Sequence, residues 1–205
     1  MLIKTNPENI EEALHTAVEV LNNGGIVAFA TETFYGLGAK CSYESALKRL
    51  YELKKRPHEK AMPLIIGSTE QLSMLSHKVT ETAKNLIEKF WPGALTLILS
   101  ANEGLSEYIV ADGKVAIRVP AESFALKLAR LAGFPITATS ANISGMPPAD
   151  SAEMVISYFG DALDLVIDSG RTRGGLPSTI IDACENKVKV LRAGAVEIKC
   201  NPISG

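Results

Sequence analysis

The chain has 205 residues, of which 46% are hydrophobic and 21% are charged, and this balance is typical of a globular protein with one substantial core. Its formal net charge of −2 argues against a surface that coats nucleic acid broadly, although a local basic patch is compatible with it. The longest apolar stretches, such as 26–30 and 95–99, are too short to span a bilayer, and the amino terminus has no signal-peptide core.

The amino-terminal half alternates predicted helices with apolar runs that are typical of strands. A first helix is expected over 7–23, because Asn6 can cap it, Pro7 suits its first position and Gly24 can end it. The elements predicted next are a buried strand over 25–30, a helix that starts after Ser42 and stops at Pro57, a strand over 62–66 and a helix over 81–90.

The carboxyl-terminal half supplies shorter predicted elements. They are strands over 95–99, 115–119, 136–139, 165–168, 179–183 and 188–191, and helices over 123–131 and 151–158. Alternating helices and strands predict an α/β fold. Because the last strands are closely spaced, antiparallel pairs should join the sheet. We therefore expect a single domain over 1–205 with a twisted, mixed, open β-sheet flanked by helices.

The cysteine pattern indicates the compartment. Cys41, Cys184 and Cys200 lie far apart and form no C-x-x-C pair, so the pattern favours neither a zinc site nor a disulfide framework. Reduced thiols are typical of cytoplasmic proteins, and we therefore expect a cytoplasmic location.

A basic cluster follows the predicted second helix. Its five potentially basic side chains are Lys54, Lys55, Arg56, His58 and Lys60. In one interpretation they form a solvated helix end that complements the helix dipole, with Lys54 exposed as helix-end lysines usually are. In the other they clamp a polyphosphate, since arginine offers a planar fork and lysine a point charge.

Two clusters of short polar residues follow predicted strands. The segment 31–33, Thr-Glu-Thr, with Gly36 and Gly38 after it, indicates either a capped turn or a hydroxyl pocket that a ligand can approach closely. Ser140 and Asn142 either satisfy their own turn or contact phosphate or ribose. Neither cluster matches a dinucleotide loop, a P-loop or a GxSxG elbow, so an acylating serine is disfavoured.

Arg118 lies inside the otherwise apolar predicted strand 115–119. A buried arginine needs an acidic partner or an anionic ligand. The sequence is equally compatible with a structural ion pair to aspartate or glutamate and with the binding of a carboxylate.

Taken in order, these motifs resemble the YrdC-like threonylcarbamoyl-AMP synthase family, in its short, single-domain form, over about residues 22–196. The matching segments are Thr-Glu-Thr and Tyr-Gly-Leu-Gly within 31–38, Lys54-x-Arg56-Pro57, Trp-Pro-Gly at 91–93, the Arg-x-Pro of 117–120, Ser140-x-Asn142, Ser-Thr-Ile at 178–180 and Arg-x-Gly at 192–194. Each match is weak alone, but their common order makes chance agreement improbable. Two positions depart from the family pattern, since Ala30 replaces a usual proline and Gly67 replaces a histidine found in many relatives.

The resemblance implies a nucleotidyltransferase that makes L-threonylcarbamoyladenylate and pyrophosphate from L-threonine, bicarbonate and ATP. The product would serve threonylcarbamoyladenosine formation in tRNA by a downstream transferase complex. Mg²⁺ would enter with ATP, held largely by phosphate oxygens and water rather than by protein ligands. One rival is a double-stranded RNA-binding module without catalysis, because the family is also associated with RNA binding. A second rival is the related carbamoyl transferase domain of hydrogenase maturation proteins, whose acylphosphatase and zinc-finger segments this sequence lacks.

The same resemblance implies roles for individual residues. Lys54 and Arg56 would be the catalytic residues, because they would hold the ATP phosphates and stabilise developing charge. The further ATP-binding residues that it implies are Ser140, Asn142 and Arg192. The threonine-binding residues that it implies are Thr31, Arg118, Ala138 and Ser178, with Arg118 on the carboxylate.

Overall fold

The computed structural model describes residues 1–55 and 60–198. Two members of the basic cluster, Arg56 and His58, and the predicted helix stop at Pro57 lie outside the described residues.

Within these residues the chain forms five α-helices and thirteen strands. The helices are α1 (Ile10–Asn22), α2 (Glu44–Lys54), α3 (Glu81–Phe90), α4 (Phe124–Ala132) and α5 (Ala152–Phe159), with short 3-10 helices at Thr69–Met74 and Gly160–Ala162. The strands are β1 (Leu2–Lys4), β2 (Val27–Ala30), β3 (Tyr35–Gly38), β4 (Leu64–Ile65), β5 (Ser76–Lys78), β6 (Leu95–Ala101), β7 (Val110–Ala111), β8 (Lys114–Arg118), β9 (Ile136–Thr137), β10 (Thr139–Ser140), β11 (Leu165–Asp168), β12 (Thr179–Asp182) and β13 (Lys189–Arg192).

The strands of the described residues are divided between two mixed sheets. The first has the order β1-β11-β2-β3-β10, in which β11 is parallel to β1 and β2 while β3 is antiparallel to β2 and β10. The second follows β13-β12-β6-β8-β4-β9, with β5 added to β6 and β7 to β8. Its β12–β6 and β8–β4 pairs are parallel and the other pairs are antiparallel. The α/β class and the mixed pairing are therefore confirmed, whereas the domain boundary at 1–205 stays a prediction.

The chain passes from one sheet to the other at Ala138. This residue separates β9, which pairs with β4 in the second sheet, from β10, which pairs with β3 in the first. Its backbone N–H donates to the carbonyl oxygen of Pro63 at 2.9 Å, which holds the crossing point against the segment before β4. One hydrophobic cluster includes residues of both sheets, and a second lies under α1 and α4. None of the helices in the described part of the chain is long and apolar enough to cross a membrane.

Elements with strong local signals fall where the sequence predicts them. The bounds of α3 and of β11 agree with the predicted 81–90 and 165–168. The start of α3 is fixed by Thr80, whose hydroxyl accepts a hydrogen bond from the Ala83 N–H at 3.1 Å. By contrast, α1 begins at Ile10 instead of Pro7, because Asn6 Oδ1 accepts from the N–H groups two and three residues later and forms a turn there.

Strand β3 follows the turn at Thr31 and is not predicted from the sequence. Its last residue, Gly38, is paired with Val27 on one side and lies close to β9 on the other. A Cβ atom at position 38 would lie 2.5 Å from Phe29 Cε1 and 2.8 Å from Ile136 Cγ2. Glycine is thus required here for close packing within the sheet, whereas the sequence pattern indicates a loop.

Candidate functional site

A cavity of about 920 Å³ opens where the two sheets meet at Ala138. Seven of the nine residues that are expected to bind substrate or act in catalysis line it, namely Thr31, Arg118, Ala138, Ser140, Asn142, Ser178 and Arg192. They come from the ends of β2, β8, β9, β10, β12 and β13 or from the turns beside them, so residues far apart in the sequence converge at strand ends, where α/β folds commonly bind ligands. The binding roles of these residues stay predictions.

Among the described residues that line this cavity, basic side chains outnumber acidic ones. The cations are Lys60, Lys114, Arg118, Lys189 and Arg192, and the carboxylates are Asp112 and Asp182. Lys114 and Asp182 form an ion pair at 2.7 Å, so part of this charge is compensated within the wall. The remaining excess of cations suits an anionic ligand.

Lys54, at the end of α2, is buried with only 2% of its surface exposed, so the exposed ammonium expected at a helix end is wrong. The physical reason is that α2 ends beneath the loop that follows β10. The Lys54 ammonium donates to the carbonyl oxygen of Ser140, to that of Asn142 at 2.8 Å and to Asn142 Oδ1 at 3.2 Å. The charge of Lys54 therefore lies directly under the Ser140–Asn142 segment of the cavity wall.

The loop after β10 is ordered by its own side chains as well as by Lys54. The Ser140 hydroxyl donates to Asn142 Oδ1 at 2.6 Å, and Asn142 Nδ2 donates to the Met146 carbonyl at 2.6 Å. The Ser144 N–H donates to the Lys54 carbonyl at 2.9 Å, which ties the loop to the end of α2. These contacts match the turn interpretation of the sequence. Ser140 nevertheless remains exposed and faces the cavity.

The Thr31 turn is held in the same local manner. The Thr31 hydroxyl donates to the Phe34 carbonyl at 2.7 Å and accepts from the N–H groups of Thr33 and Phe34 at 3.2 and 3.3 Å. A further hydrogen bond of 3.0 Å runs from the Gly174 N–H to the Thr33 carbonyl. The turn is therefore rigid, and Thr31 stands 9% exposed at the edge of the cavity.

Arg118, the last residue of β8, forms an ion pair with Glu32 in this turn. Arg118 is only 7% exposed, and of the two partners that the sequence allows for a buried arginine, the acidic side chain is present. Burial lowers the pKa of Arg118, and the charge of Glu32 opposes that shift. Arg118 also lines the cavity, which leaves the binding of a carboxylate as a prediction.

Ser178 and Arg192 form a second polar group in the lining of the cavity. Arg192 donates from Nε and Nη2 to the Ser178 carbonyl at 3.0 and 2.8 Å, and from Nη2 to the Ser178 hydroxyl at 3.1 Å. The Thr96 and Ser178 hydroxyls lie 2.9 Å apart. Burial lowers the pKa of Arg192, and the nearby charge of Arg118 lowers it further. Both arginines line the cavity.

Comparisons with known proteins place this arrangement in a family. Residues 19–194 match the model of the Sua5/YciO/YrdC family, which is described as "Telomere recombination". The chain belongs to this family.

Similarity to named relatives and to a solved structure extends over most of this chain. It is 42% identical over 194 residues to a threonylcarbamoyl-AMP synthase of Pyrococcus abyssi, covering 94% of this chain and 57% of that protein. The enzyme of the same name from Bacillus subtilis is 38% identical over 196 residues, covering 95% of this chain and 56% of that protein. The crystal structure of P. abyssi Sua5 complexed with L-threonine matches with a TM-score of 0.87 and 40% identity, over 95% of this chain and 57% of that one. The chain thus spans a little more than half the length of these Sua5/YciO/YrdC proteins.

The departure from the family pattern at Gly67 has a structural reason. A Cβ atom at this position would lie 2.6 Å from the Ala129 carbonyl oxygen and from Arg130 Cα, so α4 leaves no room for a side chain. The Gly67 N–H donates to Gln71 Oε1 at 2.7 Å. No ligand contact from a side chain at position 67 is therefore available. Ala30, the other departure, ends β2 and pairs with Tyr35.

Sequence reasoning misses two residues of this site. Glu32 is part of the noted Thr-Glu-Thr segment, and its sequence signal is the buried arginine at 118 that needs an acid. Thr96 lines the cavity and contacts Ser178, and its signal is a lone polar residue in the apolar strand 95–99. Arg56, one of the two residues expected to be catalytic, lies outside the described residues.

Proposed function

We propose that this chain is a threonylcarbamoyl-AMP synthase, a nucleotidyltransferase that forms L-threonylcarbamoyladenylate and pyrophosphate from L-threonine, bicarbonate and ATP. The observation that carries the proposal is the convergence of Arg118, Arg192 and the Lys54-ordered loop on one cavity with an excess of cations. The names of the relatives and the threonine in the P. abyssi Sua5 structure support the same activity.

Different residues of the cavity wall would contact different parts of the substrates. Arg118, with Thr31, Ala138 and Ser178 nearby on the wall, would hold threonine, and its guanidinium would take the carboxylate. Ser140, Asn142 and Arg192 would contact ATP, and Arg56 would hold its phosphates. Because the Lys54 ammonium lies under the Ser140–Asn142 loop, its positive charge would act on phosphate bound above that loop.

The reaction asks this site mainly for positioning. The amine nitrogen of threonine would bond to the carbon of bicarbonate, and loss of water would leave a carbamate. A carbamate oxygen would then bond to the α-phosphorus of ATP while the bond from that phosphorus to pyrophosphate breaks. Transfer of this kind depends on aligning the reacting atoms and neutralising phosphate charge, which the cations of the cavity would supply.

Mg²⁺ would enter this site with ATP. Among residues 1–55 and 60–198, no group of three or more His, Cys, Asp or Glu side chains could hold a metal ion. The ion would therefore be held largely by phosphate oxygens and water, and its charge would help to neutralise the triphosphate. The product would pass to a tRNA-modifying transferase complex, and we propose a cytoplasmic location for both.

The direct test is product formation by the purified chain. With L-threonine, ¹³C-labelled bicarbonate, ATP and Mg²⁺, we expect threonylcarbamoyl-AMP that carries the label, together with pyrophosphate, by mass spectrometry. Omission of any one substrate should abolish the product. A folded chain that forms no product would reject the proposal. If that same chain bound double-stranded RNA with a steep dependence on salt, the RNA-binding alternative would replace the proposal.

Selectivity for threonine over serine should be modest. The two substrates share the hydroxyl and differ by one methyl group, and Phe34 and Ala138 are apolar residues that line the same cavity as Thr31 and Ser178. A pocket that adds only contact with a methyl group discriminates by about 10–200-fold. We therefore expect serine to be a poor but real substrate in a competition assay at equal concentrations. A preference for serine, or discrimination above about 10⁴-fold, would mean that methyl packing does not set the choice.

A further inference from the structure

Glu32 has an unusual environment for a carboxylate. One oxygen, Oε1, accepts from Arg118 Nη1. The other oxygen, Oε2, is buried and has no hydrogen-bond partner in the part of the chain that the structure describes. The two side chains are only 15% and 9% exposed, so the pair is largely removed from solvent.

This arrangement is costly for the fold. A buried polar atom without a partner loses its hydration and regains nothing, and a desolvated ion pair needs good hydrogen bonding of both partners to break even. Glu32 satisfies only one of its two oxygens. Fold stability alone therefore does not explain a carboxylate at this position, and such an exception to polar satisfaction calls for another reason.

The backbone that carries Glu32 is fixed on both sides. Thr31 closes the turn through its hydroxyl, and the Thr33 carbonyl accepts from the Gly174 N–H at 3.0 Å. Arg118 is equally constrained, because it ends β8, pairs in register with Ile65 and accepts a hydrogen bond from the Ile66 N–H on its carbonyl at 3.0 Å. The ion pair thus joins two rigid elements across the edge of the cavity.

Only the Nη1 atom of Arg118 is engaged by Glu32, and Glu32 is its one hydrogen-bond partner within the described residues. A guanidinium has five N–H donors in a planar fork, so a group that fixes one corner also fixes the direction of the rest. Arg118 lines the cavity, and its remaining donors have no hydrogen-bond partner among the described residues.

We propose that Glu32 is a positioning residue that holds one corner of the Arg118 guanidinium, so that the rest of the fork faces the cavity and takes the α-carboxylate of the amino-acid substrate. This assignment rests on the proposed function, because it takes threonine as the ligand of Arg118. Glu32 acts through Arg118 and does not itself touch the substrate, since both of its oxygens are committed or buried.

The test compares threonine and ATP binding in matched variants. Glu32→Gln keeps the shape of the side chain and removes its charge. By calorimetry, its dissociation constant for L-threonine should rise about tenfold or more, the scale on which removing an outer partner of a binding residue acts. Affinity for ATP should not change, which separates this loss from a general structural defect. Glu81→Gln makes the same charge change in an exposed pair with Lys84 on α3, and it should leave both affinities unchanged.

Two further variants keep the test decisive. In a double-mutant cycle, Arg118→Lys should lower threonine affinity by itself, and adding Glu32→Gln should cost less than in the wild-type background, because the two residues act as one unit. If Glu32→Gln does not fold, Glu32→Asp replaces it in the test. Aspartate keeps the charge, but its shorter side chain moves the carboxylate away from Arg118 Nη1, so threonine binding should weaken. If a folded Glu32 variant binds threonine with unchanged affinity, or if the losses of affinity in the cycle are fully additive, the role assigned to Glu32 is wrong. The proposed function would still stand. A wild-type chain that binds no threonine would overturn both the role of Glu32 and the proposed function.

Discussion

Lys54→Ala is expected to reduce both the synthase rate and the free energy of unfolding. The rate should fall because a preorganised charge next to the phosphates is worth about 2–4 kcal/mol of transition-state stabilisation. Stability should fall because Lys54 is buried and its removal leaves acceptors on Ser140 and Asn142 without their donor, at about 1–3 kcal/mol. Had the ammonium been exposed, only the first effect would follow.

Steady-state kinetics with ATP and urea denaturation measure the two effects separately. Lys48→Ala is the matched control, because it removes the same charge from an exposed residue of the same helix and should change neither quantity appreciably. A Lys54→Ala variant with full synthase activity would show that the charge under the loop has no part in the reaction. A variant that loses stability but keeps its rate when folded would limit Lys54 to ordering the Ser140–Asn142 loop.

Regular elements could be predicted from the sequence where local signals agree with the tertiary structure. α3 has a capping threonine and an apolar face, and β11 is a short apolar run, so both fall where expected. The strand β3 could not be predicted in this way, because Gly36 and Gly38 indicate a loop unless the positions of Phe29 and Ile136 are known. The division into two sheets depends likewise on the crossing at Ala138, which carries no local signal.

The site could be predicted as a set of residues but not as a set of contacts. The order of the motifs and their places after predicted strands indicate Thr31, Arg118, Ser140 and Ser178 as site residues, and all four line one cavity. The burial of Lys54 could not be predicted, because it depends on where a loop nearly ninety residues later in the chain lies. The same holds for Glu32, which lies 86 residues from Arg118 in sequence. Contacts between residues so far apart in sequence depend on the whole fold. Sequence patterns report only on neighbouring residues, so they do not predict such contacts.

Arg118→Met is expected to lower the free energy of unfolding by about 3–5 kcal/mol, because it leaves the Glu32 carboxylate buried without its counter-charge. It should also abolish threonine binding, since the fork that takes the carboxylate is gone. Arg118→Lys keeps the charge but not the fork, so it should lose threonine affinity with a smaller loss of stability. Urea denaturation and calorimetry with L-threonine measure the two consequences.

The double variant Arg118→Met/Glu32→Gln separates the causes of these losses. Replacing the stranded carboxylate by a neutral amide removes the uncompensated charge, so the double variant should regain most of the stability that Arg118→Met loses. Threonine binding should not return, because it requires the guanidinium itself. If Arg118→Met alone costs less than about 1 kcal/mol, the pair behaves as an exposed one and its desolvation does not contribute. If the double variant regains stability and threonine binding together, Arg118 is not the carboxylate ligand, and the loss of binding in Arg118→Met comes from the unpaired Glu32 charge.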